Sequence, residues 1–318
     1  MSERRGAPGI GVLFRTPWRA ESLPAFVRAA EASGLDEVWV AEDCFFSGGL
    51  AQAATALALT DRLRVGIGLL PVPVRNAAIT TMEVATLARI HPGRIRVALG
   101  HGVEDWMRQI DARPRDRLVA LAEAIDAMSR LLRGETVSME GAFVTMDSVS
   151  LAHPPREHPK ILIGTTGERA LRLSGEIADG FLLPEGSGPA AVRWANEVAR
   201  DPEVATVYAW LSVDDDRDVA ANALTAEIDA WRAMDLYPRV VEYAEFGAGS
   251  GPLAPDRIRQ IAVAGNARDC AAMIDELSES GASSVVLMPL EHGFEAQLSR
   301  LAGDVLPRLR RRRRRRID

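Results

Sequence analysis

At 318 residues, 47% of them hydrophobic and 26% charged, the chain can bury one large core, which excludes a disordered or fibrous protein. No apolar run approaches the roughly 20 residues needed to cross a bilayer, and the polar, basic start Met1 to Pro8 has no apolar signal stretch behind it, so a cytoplasmic protein with no membrane partner is expected. The net charge of −6 hides an asymmetry: Arg308 and the run Arg310 to Arg316 close an otherwise acidic body, unsuited to tracking nucleic-acid phosphates, and residues 310–318 are expected to be a solvated, disordered tail after one domain over 9–309.

In chain order, short apolar or β-branched runs alternate with longer amphipathic ones. Strands are predicted at Ile10 to Phe14, Glu37 to Ala41, Leu63 to Gly68, Ile95 to Leu99, Lys160 to Gly164, Gly180 to Leu183, Val204 to Val213 and Ser284 to Met288. Between them the 3.6-residue period predicts helices at Glu21 to Ser33, Leu50 to Leu59, Ala78 to Ile90, Asp116 to Leu132, Glu168 to Ile177, Pro189 to Ala199, Val219 to Met234, Ala267 to Ser280 and Phe294 to Leu306. Continuous runs such as Ile161-Leu162-Ile163 and Val285-Val286-Leu287-Met288 suit strands covered on both faces. Eight such units favour an α/β fold closed as a (β/α)8 TIM barrel, with the doubly wound open sheet as the alternative. Two insertions interrupt the alternation. A hairpin, Val137 to Met139 and Ala142 to Met146 around Gly141, precedes the fifth strand, and a loop-rich stretch, Leu236 to Asp256, follows the seventh.

In a barrel of this kind the site lies where strands run into helices, at their C-terminal ends. Lys160, the sole lysine, precedes its strand and so sits at the other end, which excludes Schiff-base chemistry at the site. Cys44 and Cys270 have neither disulfide nor zinc spacing, and His91, His153 and His158 each precede a proline with no repeating ligand spacing, so no metal is expected.

The loop Thr165-Thr166-Gly167 opens a helix and can offer free N–H groups and two hydroxyls to one phosphate; equally, its glycine can merely shape a tight turn, and Glu168 adds opposing charge. Gly100-His101-Gly102 is too short for a dinucleotide fingerprint but lets a planar ring approach the backbone. Gly66 and Gly68 within the third strand suggest a bulge or close approach.

Taken together, Glu37-Val-Trp-Val-Ala-Glu-Asp, the stretch Val65 to Ala78, Pro92-Gly-Arg-Ile-Arg-Val-Ala-Leu-Gly, Val263-Ala-Gly-Asn and above all Ile163-Gly-Thr-Thr-Gly-Glu-Arg-Ala-Leu-Arg-Leu-Ser-Gly-Glu-Ile-Ala-Asp-Gly resemble the luciferase-like family of flavin- and deazaflavin-dependent oxidoreductases. The resemblance implies a cis peptide beside Gly68, behind the cofactor ring. It implies ring contacts from Gly66, Gly68, Leu69, Gly100 and Gly102, and a phosphate seat at Thr165, Thr166, Gly167, Glu168 and Arg169.

It also departs from the family pattern. Glu42-Asp43 stands where many deazaflavin-dependent members have a histidine after an acid, and Val103 where some dehydrogenases have a glutamate. The cofactor implied is F420, with hydride transfer to or from a small organic substrate; FMN with oxygen is the alternative, and a non-catalytic flavin-binding protein a third reading. His101 and Glu42 are the catalytic candidates, with an Arg75 ion pair as the rival role for Glu42. Trp18, Phe45, Phe46 and Trp106 are candidates for the substrate wall or for plain packing, and a homodimer is a possible assembly.

Overall fold

The computed structural model describes residues 8–233 and 252–314. Eight strands close a ring in which every neighbour is parallel: β1 (Gly9–Phe14), β2 (Glu37–Val40), β3 (Arg64–Pro71), β4 (Ile95–Gly100), β7 (Lys160–Gly164), β8 (Gly180–Leu183), β9 (Val204–Val213) and β11 (Ser284–Pro289). Helices cover the outside, so alternate side chains face two apolar environments and the strands read as unbroken hydrophobic runs; all ten residues of β9 are buried. Val38, Ile67, Val97 and Ile163 pack outward against the helices, while Leu13, Trp39, Leu162, Tyr208 and Val286 fill the interior.

The expected hairpin is present as β5 (Val137–Glu140) and β6 (Thr145–Val149), a separate antiparallel sheet. Its second strand starts later than expected because the backbone N–H groups of Ala142, Phe143 and Val144 donate to the Glu123 carboxylate at 2.9, 2.8 and 2.8 Å, which takes them out of the ladder and ties the turn to helix Arg117–Leu132.

A strand not expected, β10 (Val263–Gly265), pairs with the end of β9. The single helix expected from Val219 to Met234 is two, Arg217–Ala223 and Thr225–Ala233, meeting at the buried Leu224. The first packs on β10 and β9, and the second lays Ile228 and Trp231 over the barrel end, where Trp231 meets Trp210 edge-on at 5.4 Å between ring centroids. Of the loop-rich stretch expected from Leu236, the part before Pro252 lies outside the described residues.

Of the tail expected over residues 310–318, residues 310–314 are helical: a π turn at Leu301–Val305 leads into helix Leu306–Arg314, and the Arg312 guanidinium pairs with the buried Asp275 at 3.0 Å; residues 315–318 lie outside the described residues.

Candidate functional site

The mouth of the barrel is built on an irregularity in β3. The β3 to β4 register shifts between Gly68 and Leu70, and the Gly68–Leu69 peptide is cis. The Gly68 carbonyl accepts from the Tyr208 hydroxyl at 3.1 Å, leaving Leu69 outside the ladder with its side chain laid over the ends of β4 and β7. A Cβ on Gly100 or on Gly164 would come within 2.5 Å of Leu69 Cδ2, so both strands end in glycine to let this side chain pass. Leu69 is partly exposed there and forms an apolar shelf at the mouth.

The bulge and the close approach expected at the β3 glycines are both present, the register shifting after Gly68. Gly66 and Gly68 are buried; a side chain at Gly66 would run into the Trp39 ring, and one at Gly68 into Tyr208 and Leu182. They make room for the barrel's own interior, and Leu69 is the side chain that β3 leaves partly exposed at the mouth.

Beside the shelf is a cavity of about 620 Å³, into which His101, Thr165, Gly167 and Arg169 face. The helix Glu168–Ile177 begins on Gly167 with no side-chain cap, so its first-turn N–H groups point at the opening. Thr165 Oγ1 accepts from Gly167 N at 3.0 Å and holds the turn. The Glu168 carboxylate pairs with Arg172 one turn along at 2.6 Å, which offsets the charge that sequence reasoning counted against an anion here. Thr166, partly exposed, is not among the cavity residues, and Gly102, at φ 72°, turns the chain from β4 into helix Glu104–Gln109.

His101 lines the same cavity. Burial pushes its imidazole below the ordinary histidine value and the Arg117 charge adds to this, with Asp116 opposing, which favours the neutral ring and leaves one ring nitrogen able to accept a proton. Arg113, Arg115 and Arg117 bring further positive charge to the rim. Sequence reasoning missed Arg113 and Arg115. They lie well past the end of β4, and helix Glu104–Gln109 brings them back, the chain being tied by Ala112 N to Met107 O at 2.9 Å.

Two expected residues are elsewhere engaged. Glu42 accepts from Arg75 Nε and Nη2 at 2.7 and 2.5 Å and from Gly49 N at 2.8 Å, so both of its oxygens are engaged in a clamp between the β2 loop and the β3 loop, the ion-pair role set against catalysis in the sequence. Trp18 is 4% exposed and packs edge-on with Phe14 and Phe26, each at 5.5 Å between ring centroids, so it belongs to the core under the helices and not to a substrate wall. Phe45 and Phe46 are exposed, and Phe46 meets Trp106 at 6.4 Å, joining the β2 and β4 loops over the mouth.

The opposite side of the mouth carries acids not singled out from the sequence. Asp43 accepts from Thr16 Oγ1 at 2.7 Å, and Arg15, after β1, pairs with Glu227 on the covering helix. Burial raises the Asp43 carboxyl above the ordinary range; the Thr16 bond opposes this and Glu42 adds to it. Burial likewise raises Glu185, which follows β8, and its own backbone and Arg15 oppose while Asp43 and Glu227 add. The available signal was position: Thr16, Asp43 and Glu185 all lie just past strand ends.

A family model described as luciferase-like monooxygenase matches residues 8–284. The chain is 27% identical to a 5,10-methylenetetrahydromethanopterin reductase of Methanolobus tindarius, over 82% of this chain and 88% of that one. It is 26% identical to an F420-dependent glucose-6-phosphate dehydrogenase of Kribbella flavida, over 91% and 94%. Among solved structures, the coenzyme F420 dependent tetrahydromethanopterin reductase from Methanopyrus kandleri superposes with a TM-score of 0.83, covering 96% of this chain and 100% of that one at 19% identity.

Proposed function

The chain belongs to the luciferase-like monooxygenase family, and from that premise we propose that it is an F420-dependent oxidoreductase that moves a hydride to or from a small organic substrate. The observation that carries this is the Leu69 shelf lying next to an anion cradle: a flat apolar rest and, beside it, uncapped helix N–H groups opening on a cavity of about 620 Å³. The F420-dependent relatives described above support the same choice of cofactor.

Bound there, F420 supplies a two-electron carrier that gives or takes hydride at its ring. The protein's own residues do the rest. Leu69 backs the ring, while Thr165, Gly167 and the N–H groups of Glu168 and Arg169 hold the phosphate. Neutral His101 is positioned to accept a proton at the cavity edge. Glu185 and Asp43, held above the ordinary carboxylate range, are suited to give a proton to a substrate oxygen or nitrogen as hydride arrives. Phe46 and Trp106 wall the substrate side. A homodimer through the exposed Ile79, Met82 and Ile90 of helix Ala77–Ile90 fits the same protein, and a monomer mass by sedimentation in solution would exclude it.

The test is a titration of purified protein with F420 and with FMN, each followed by fluorescence quenching. F420 is expected to saturate at about micromolar concentration and FMN more weakly. Saturation by FMN alone overturns the reading.

A further inference from the structure

Resting on the F420 reading, we propose that Arg113, Arg115 and Arg169 form a second anion-binding rim that grips the carboxylate tail of the cofactor, beyond its phosphate. The cavity carries more positive charge than one phosphate needs. Four arginines and two carboxylates face it, and the carboxylates are already engaged: Glu104 pairs with Arg117 at 3.1 Å, and Asp116 accepts from Leu118 N and Val119 N at 2.9 and 3.1 Å as the cap of helix Arg117–Leu132. Arg113, Arg115 and Arg169 are exposed and have no ion-pair partner among the described residues.

Three unmatched guanidinium groups around one opening repel one another, and a ligand with several negative groups relieves that repulsion. The segment that carries Arg113 and Arg115 is fixed at both ends, by Ala112 N to Met107 O at 2.9 Å and by the Asp116 cap, so the two side chains are held at the rim. F420 continues from its phosphodiester into a chain of glutamates, each with a free carboxylate, and the planar guanidinium fork matches a carboxylate with two parallel hydrogen bonds. FMN ends at its single phosphate and offers this rim nothing.

The experiment compares dissociation constants, by fluorescence quenching at low and high salt, for F420 with a single glutamate, for F420 with a long glutamate tail and for the tail-free deazaflavin chromophore. The wild-type protein is expected to bind the long-tailed form about tenfold more tightly than the short-tailed form at low salt, an advantage that shrinks at high salt. The double variant Arg113→Glu/Arg115→Glu is expected to lose that advantage while its thermal midpoint is unchanged and its affinity for the tail-free chromophore stays within about twofold. A wild-type protein indifferent to tail length, or a double variant that keeps the preference, overturns this inference and leaves the F420 reading standing. A wild-type protein that binds no form of F420 overturns the F420 reading itself.

Discussion

The two ends of the barrel both carry ionised clusters, and they are built in opposite ways. At the N-terminal end Glu37, 1% exposed, accepts from Arg64 and Arg96 at 2.9 Å each, from Trp39 Nε1 at 2.9 Å and from Ser284 Oγ at 2.8 Å. Burial works against its charge, yet Arg96 and Arg64, joined by the Trp39 and Ser284 donors, hold its carboxyl below the ordinary range. At the C-terminal end Arg113, Arg115 and Arg169 have no ion-pair partner among the described residues, the helix at Glu168 has no side-chain cap, and Asp43 and Glu185 are pushed up by burial. A closed charge balance makes a plug, whereas one left open is completed by what binds.

The largest expected effect breaks the plug. Glu37→Ala leaves two arginines facing an emptied interior and should cost about 3–5 kcal/mol of stability, measured by denaturant unfolding. The sign in pH follows from the depressed carboxyl: its contribution is present above the unfolded-state pKa and is lost as pH falls through the lower folded value, so the wild-type protein loses stability in acid and the variant loses less. Equal acid sensitivity in both would show that Glu37 is not the titrating plug.

At the open end Glu185→Gln should lower the rate of substrate reduction by about a hundredfold, with F420 affinity unchanged. Because burial raises this carboxyl, the proton-giving form persists to higher pH than in an ordinary glutamate, and wild-type turnover should fall as pH rises through the raised value. A pH profile with the same limb in the variant would remove Glu185 from the reaction.

Gly167→Asp should weaken cofactor binding about tenfold, by placing a carboxylate at the anion cradle. A Cβ fits there, its nearest neighbour being Thr165 Oγ1 at 3.7 Å, so stability should hold within about 0.5 kcal/mol. Lost affinity together with a lowered melting point would mean that the turn itself had failed. The smallest effect is expected of Phe45→Ser: the ring is 64% exposed, and removing it should leave stability within about 0.5 kcal/mol while raising KM for substrate, a split that sharpens the difference between mouth and plug.

The barrel was legible because its strands are apolar on both faces, and runs such as Phe181-Leu182-Leu183 leave little room for another reading. The end of β3 was not legible beyond Gly68, since the shifted register carries the strand on to Pro71. The cradle at Thr165 and Gly167 could be located from its glycine and its following helix, both local signals. Glu42 and Trp18 sit at or near strand ends and carried two readings each, site residue or Arg75 partner, site residue or packing, while Gly66 was placed at the cofactor by the resemblance; whether such a residue turns to solvent, to Arg75, to Phe26 or makes room for Trp39 is decided by contacts distant in sequence. Asp43, Glu185 and Arg15 converge for the same reason, and no spacing announces them.

The ten-residue β9 has a consequence for how such a protein is altered. It pairs with β8 over Val204 to Val207, with β11 over Thr206 to Leu211 and with β10 at its last three residues, and the covering helix follows from there. The roof over the mouth therefore grows from one stave of the barrel, while the Leu69 shelf and the cavity beside it are furnished by the ends of β3, β4 and β7; the proposed cofactor seat is separate from the roof. Grafting a different roof onto that stave would change which molecules are admitted and leave the seat as it was.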